Sequence, residues 1–389
     1  MLCKKARYFN QTAYPVYMWP FRKKARGAVL RYVDFDIHWD TEDPFIFVSH
    51  HIDNYPKGNS QQAPPYDMIA WRDLGHDYKK HNGFRMYKGK VVPGFPMHPH
   101  WGYETFTIVE EGYVDTFDSE GNQSRFGFGD AQWVTASSKY QHSEMYPLVF
   151  QDRPNPNNIT QIMINLPLER KGSTNDVNMV WSEDFETKNL TDGSGKNIEV
   201  ILYAGTYEGM TVGVPNPNSW AADPDNRVKI LQIKMEEGAE FVLKADSPEI
   251  NRNLYFVSGS DADVEGFAAD AGYRMKLKSD IDITIRNGEV PSKFWLLDGR
   301  PIKQKMTSYG PVVLDNDKTV RDAMNDIRKY EYEIWPWNVI DKVQSVEAPR
   351  FIRYADGKEE YPDGKPEGFE PAETGRNESY ENDSVNRCV

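Results

Sequence analysis

Apolar residues in this chain come in short alternating runs rather than long helical stripes. Ile281, Ile283 and Ile285 alternate with polar neighbours, and a period of two puts all three on one face of a strand. Comparable strand-like pieces cover 28–33, 45–48, 105–109, 113–117, 131–135 and 161–165 in the first half, then 198–204, 228–235, 254–257, 273–278 and 281–285 in the second. Turn residues such as Ser119-Glu120-Gly121-Asn122 separate them, and that spacing predicts β-sandwiches or small barrels. One segment departs from the pattern: Val320, Ala323, Met324 and Ile327 fall at i, i+3, i+4 and i+7. They predict a helix over 319–332, opened by a capping box of Thr319 and Asp322. Lys171 to Gly195, rich in Asn, Asp and Gly, reads as a crossover between two β domains.

A chain of 389 residues is long enough for two domains, each with its own core. Aromatics at 13% suit sheets with large side chains. No apolar run approaches the ~20 residues of a membrane span. Residues 50–91 hold Asn54, Pro56, Gly58, Pro64 and Pro65 and then a Lys- and His-rich half. They read as an insertion in the first domain, forming a lid or an interaction surface, whose replacement by a short linker is expected to leave stability unchanged.

Net charge of −13 argues against general nucleic-acid binding, which needs clustered Lys and Arg. The charge is unevenly placed. The first 33 residues carry eight basic side chains and no acidic one. They read as a packed or partner-binding arm; Pro15, Pro20 and the lack of Ser weaken an organelle-targeting reading. Ala355 to Val389 holds ten acidic and four basic residues among Gly and Pro, and is expected to be a solvated tail. Cys3 and Cys388 stand at the two ends, so no disulfide framework is implied, and a reducing intracellular compartment, cytoplasmic or nuclear, is the simpler assumption.

All eight histidines lie within the first 142 residues, and three of them form a spaced set with a carboxylate. In a strand, residues two apart share a face, so His98-Pro99-His100 and His142-Ser143-Glu144 each aim two donors at one spot. Two such strands facing each other would close a metal site of His98, His100, His142 and Glu144. Three neutral imidazoles and a carboxylate suit one divalent transition metal, iron foremost, with manganese, nickel, copper or zinc as alternatives. Phe95, Trp101, Phe106 and Trp133 are candidates for an aromatic substrate wall, although Phe106 and Trp133 read equally well as core.

The runs 94–105, 129–136 and 142–145 resemble the pirin family of double-cupin proteins. Asn165-Leu166-Pro167, Leu297-Asp298-Gly299-Arg300-Pro301 and Tyr309-Gly310-Pro311-Val312-Val313 extend the likeness, which spans roughly 92–330. The resemblance implies an all-β bicupin, with two consecutive jelly-roll barrels, a short C-terminal helix and irregular tails. The expected division is a basic arm at 1–33, a metal-binding cupin at 34–195, a degenerate cupin without histidine at 196–335, and an extended acidic tail at 336–389. It also implies either of two functions. One is a quercetinase-like dioxygenase that opens flavonol-like or related enolic aromatic rings with O2, with Glu144 as general base. The other is a non-enzymatic metal or redox-sensing protein that binds a macromolecular partner through its arm, insertion or tail. Trp101, Met97 and Ser137-Ser138-Lys139-Tyr140 depart from the family pattern around the site, so the metal carries over better than the substrate.

Overall fold

The computed structural model describes residues 27–330 and 333–374. Its named strands pair antiparallel and build two barrels. In the first, one six-stranded sheet runs Asp176–Val180, Ala131–Ala136, Tyr103–Glu111, Asn155–Asn165, Phe45–Tyr55, His38–Trp39. The opposing sheet runs Glu359–Glu360, Phe351–Arg353, Gln123–Gly127, Tyr113–Asp118, Tyr140–Met145, Gly94–His100. The second barrel sets an eight-stranded sheet, centred on Asn251–Ser258, Ser292–Gly299, Lys229–Met235 and Asn197–Tyr207, against a four-stranded one built from Glu240–Leu243, Ile283–Asn287, Asp261–Val264 and Phe267–Asp270.

Alternation along the strands decides what each side chain does. On Tyr103–Glu111, Phe106 and Ile108 face the other barrel, while Val109 faces into its own. Facing them across the joint are Ile230, Tyr255, Trp295 and Leu297, whose neighbours Leu231, Leu254, Phe294 and Leu296 fill the second barrel. The two sheets thus bury their outer faces against each other in one apolar layer. The second barrel's own interior is mostly apolar, including Val200, Leu202, Ile233 and Phe256, and the charged groups on the same strand faces, Arg252, Lys229 and Asp298, are paired with one another. Among the described residues, no group of three or more metal-type donors gathers there.

The chain ends cross over, and the C-terminal one is not the solvated tail expected from composition. Val29–Asp34 pairs with Tyr273–Leu277 in the second barrel, and Phe351–Arg353 pairs with Gln123–Gly127 in the first. Residues 351–372 are folded onto the first barrel: Phe351 stacks with Tyr361, and Gln123 exchanges hydrogen bonds with Ala372 at 2.6 and 3.2 Å. Net acidity hid this, because the segment's carboxylates are paired: Arg350 holds Asp363 at 2.9 Å, and Lys365 holds Glu359 and Glu370 at 3.1 and 3.2 Å. The rest of both ends, 1–26 and 375–389, lies outside the described residues. The crossover likewise gives a strand to each barrel, Asp176–Val180 to the first and Glu186–Thr191 to the second.

Residues 50–91 also differ from expectation. The first six complete the strand Phe45–Tyr55, and Tyr55, Ile69, Phe84, Met86 and Leu148 form a small core of their own. Arg85 is buried against Asp53 at 3.0 Å, and the Tyr87 hydroxyl donates to the same carboxylate at 2.5 Å. Irregularly spaced aromatics and paired arginines carry no period, so a pattern-based reading takes them for loop. The helix runs Asp317–Tyr330 and is capped by Asn316, whose Oδ1 accepts from the Lys318 and Thr319 amides at 2.9 and 3.1 Å. This replaces the Thr319–Asp322 capping box.

Candidate metal centre

His98 and His142 stand directly opposite each other on paired strands, with a register irregularity between Phe95 and His98. Gly94–His100 is the edge strand of its sheet, which is why Pro96 and Pro99 are tolerated in it. Its outer edge is held by two later segments: the Met97 amide donates to Ile340 O at 2.7 Å and the Trp101 amide to Pro311 O at 2.9 Å. The ligand-bearing strand is therefore fixed from both sides.

The donor atoms of His98, His100 and His142 lie within 4.8 Å of one another. His100 Nε2 and His142 Nε2 are 2.9 Å apart. Glu144 Oε2 is 3.6 Å from His142 Nε2 and 3.9 Å from His98 Nε2. Two nitrogens each about 2.1 Å from one ion and at right angles would be about 3 Å apart, so these separations fit donors around a common centre. Hydrogen bonds from behind aim them. His98 Nδ1 donates to Pro96 O at 3.0 Å, and His100 Nδ1 meets the Tyr103 hydroxyl. Glu144 Oε1 accepts from Gln161 Nε2 at 2.7 Å and from Thr107 Oγ1 at 3.3 Å, leaving Oε2 open.

Electrostatics favour the same occupant. Burial lowers His98 to about 4 and holds His100 and His142 well below the ordinary histidine range, so all three rings are neutral, the form that ligates. Burial also raises Glu144 to about 7, against the opposing pull of Gln161 and Thr107. The groups hydrogen-bonded to that carboxylate, Gln161 and Thr107, are neutral, and a cation among these donors would keep it ionised.

Of the four proposed wall residues, the structure brings only Phe95 to the centre, with its ring 6.1 Å from that of His98. Trp101 follows His100 and so points outward, packing with Val312, Leu314, Met324 and Ile327. Phe106 and Trp133 face the second barrel and pack on each other at 4.4 Å. One parity rule displaces all three. Gln161, Thr107, Tyr103 and Thr105 were missed, because their roles depend on which face of a strand they occupy and on which strand lies beside it. Tyr103, Thr105 and Thr107 share the odd, inward face, and Gln161 stands directly opposite Thr107.

The model of the pirin family matches residues 31–163, and that of the pirin C-terminal cupin domain matches residues 230–333. The chain belongs to the pirin family. A Vibrio cholerae protein named "putative quercetin 2,3-dioxygenase" is 26% identical over 245 residues, covering 63% of this chain and 82% of that one. A pirin-like protein of Solanum lycopersicum is 27% identical over 237 residues, covering 60% of this chain and 75% of the relative. Among solved structures, quercetin 2,3-dioxygenase from Acinetobacter baumannii superposes with a TM-score of 0.61 at 18% identity, over 78% of this chain and 98% of that one, which establishes the shared bicupin fold. No helix of the described residues is long and apolar enough to cross a membrane.

Proposed function

We propose that this pirin is a metal-dependent dioxygenase acting on flavonol-like or related enolic aromatic rings. The observation that carries the reading is the convergence of three neutral imidazole nitrogens and one open carboxylate oxygen inside a closed barrel. An iron ion held by His98, His100, His142 and Glu144 would acidify an enolic hydroxyl and bring it together with dioxygen. Glu144 would receive the hydroxyl proton on Oε2 by briefly leaving the ion, since Oε1 is already engaged by Gln161 and Thr107. Phe95 offers an aromatic face next to His98 for the substrate ring. His98 is the most open of the ligands, with 19% of its side chain exposed, so substrate enters over it rather than past the fully buried His142. Relatives bearing dioxygenase names support the reaction class.

The test is metal analysis of the purified protein, then oxygen uptake on flavonols with the iron-loaded form. Uptake coupled to loss of the flavonol absorbance is the expected result. A fully loaded protein that consumes no oxygen with any enolic aromatic would sink the enzymatic reading.

A further inference from the structure

His100 and Tyr103 share a hydrogen bond whose direction depends on what the other side of the imidazole does. A phenol can give or accept a proton, and so can a neutral imidazole nitrogen. His98 has no such freedom, because its Nδ1 faces the Pro96 carbonyl, which only accepts. For His100 to offer an Nε2 lone pair to an ion, its single ring proton must sit on Nδ1 and be donated to the Tyr103 oxygen. The Tyr103 O–H then has to point elsewhere.

What lies beside it is a second buried hydroxyl. Thr105 is two residues on along the same inward face and 1% exposed, and its Oγ1 makes no hydrogen bond among the described residues. The next residue on that face, Thr107, reaches Glu144 Oε1, so the row Tyr103–Thr105–Thr107 runs along the wall of the metal centre. A buried hydroxyl left without a partner is uncommon; Thr105 is one, and Tyr103, once its oxygen accepts from His100, has its own proton to give on the same wall.

We infer that Tyr103 and Thr105 form a subsite for an anionic ligand oxygen, of the kind a deprotonated enol or catechol presents. It rests on the metal-centre reading proposed above and adds to it the side from which the ligand's oxygen is held. Tyr103 links the two, because occupation of the centre fixes the His100 tautomer and thereby turns the phenol into a donor. The subsite selects ligands with an ionisable hydroxyl, and it disfavours the corresponding methyl ethers, which cannot present a charged oxygen.

The experiment uses the full chain loaded with iron(III) and titrated with catechol, read by the visible charge-transfer band of the bound catecholate. Tyr103→Phe should keep its iron, bind catechol roughly tenfold or more weakly, and shift the band to lower energy, as expected when a hydrogen bond to a charged oxygen is lost. Thr105→Val, which does not touch His100, should move affinity and band in the same direction by less. A wild type that loads iron but gives no catechol band overturns the subsite while the metal centre stands, and so do two variants with wild-type affinity and band. A wild type that takes up no iron removes the centre and the subsite together, and metal analysis reveals that before any catechol is added.

Discussion

Gln161 Nε2 donates to Glu144 Oε1 at 2.7 Å, across the barrel from a neighbouring sheet. The contact leaves one carboxylate oxygen for an ion and ties the ligand strand to the opposite wall. Gln161→Leu removes the donor while keeping the side chain's bulk. Metal affinity should fall roughly 10–100-fold, as for other outer-shell partners, with little change in thermal stability of the metal-free protein. Competition against a chelator reads the first quantity and a melting curve the second.

The four donors act as a set, so removing two should empty the centre. One metal per chain is expected for the wild type and none for His98→Ala combined with His142→Ala, by elemental analysis. Glu144→Gln is the sharper probe of chemistry. Its amide oxygen still ligates weakly and should retain part of the metal, but it accepts no proton at neutral pH, so oxygen uptake should be lost. Equal uptake in this variant would remove Glu144 as the base.

Arg85 sits at the centre of the buried contacts that make the segment after Tyr55 part of the barrel. Its Nη1 lies 3.1 and 3.0 Å from the two Asp53 oxygens and 3.1 Å from the Tyr87 hydroxyl. Arg85→Met leaves the buried Asp53 charge without its partner and should cost about 3–5 kcal/mol in urea denaturation. A loss below about 1 kcal/mol would restore the picture of a detachable insertion.

The strands, the two-barrel plan and the cluster of metal donors were legible because each rests on a local period or a two-residue spacing. His98, His100, His142 and Glu144 needed only alternation. Trp101 was misplaced by the same alternation left unapplied, since adjacency to His100 put it near the ligands and strand parity turns it away; for Phe106 and Trp133 the same parity selects the core alternative. Gln161 was beyond reach, because its meeting with Glu144 depends on which strands become neighbours over a separation of 17 residues. The exchange of end strands is likewise a long-range pairing with no local signature.

Trp337 shows what the folded C-terminal segment contributes. Its indole is 2% exposed, donates to Asp118 O at 2.7 Å and meets the Phe117 ring edge-on at 4.9 Å. Asp118 is paired in register with His142, so the segment braces a ligand strand from behind. Trp337→Ala should cost about 3–5 kcal/mol, the range for truncating a buried large aromatic, and should lower metal retention after dialysis. Full retention in a destabilised variant would show that the brace serves the fold alone.

Glu104 makes the joint between the barrels sensitive to pH. Its Oε1 accepts from Trp133 Nε1 at 3.0 Å and Thr135 Oγ1 at 2.8 Å, and its Oε2 accepts from Ser219 Oγ of the second barrel at 2.7 Å. Burial outweighs these neutral donors and raises the carboxyl from 4.5 to about 7. The folded protein therefore holds this proton more tightly than the unfolded chain does. The stabilisation from that difference is complete below the unfolded value and disappears as pH rises through the folded one. Raising pH from 5 to 8 should lower the unfolding free energy by an amount on the order of 3 kcal/mol through this group. Asp118 and Glu144 are raised too, to about 6 and about 7, so the wild-type slope has several sources. Glu104→Gln isolates one of them, since the amide oxygen still accepts from Trp133 and the amide can donate to Ser219. Urea midpoints at the two pH values should converge in the variant relative to wild type, and an identical pH dependence in both proteins would show that Glu104 is ionised in the fold throughout.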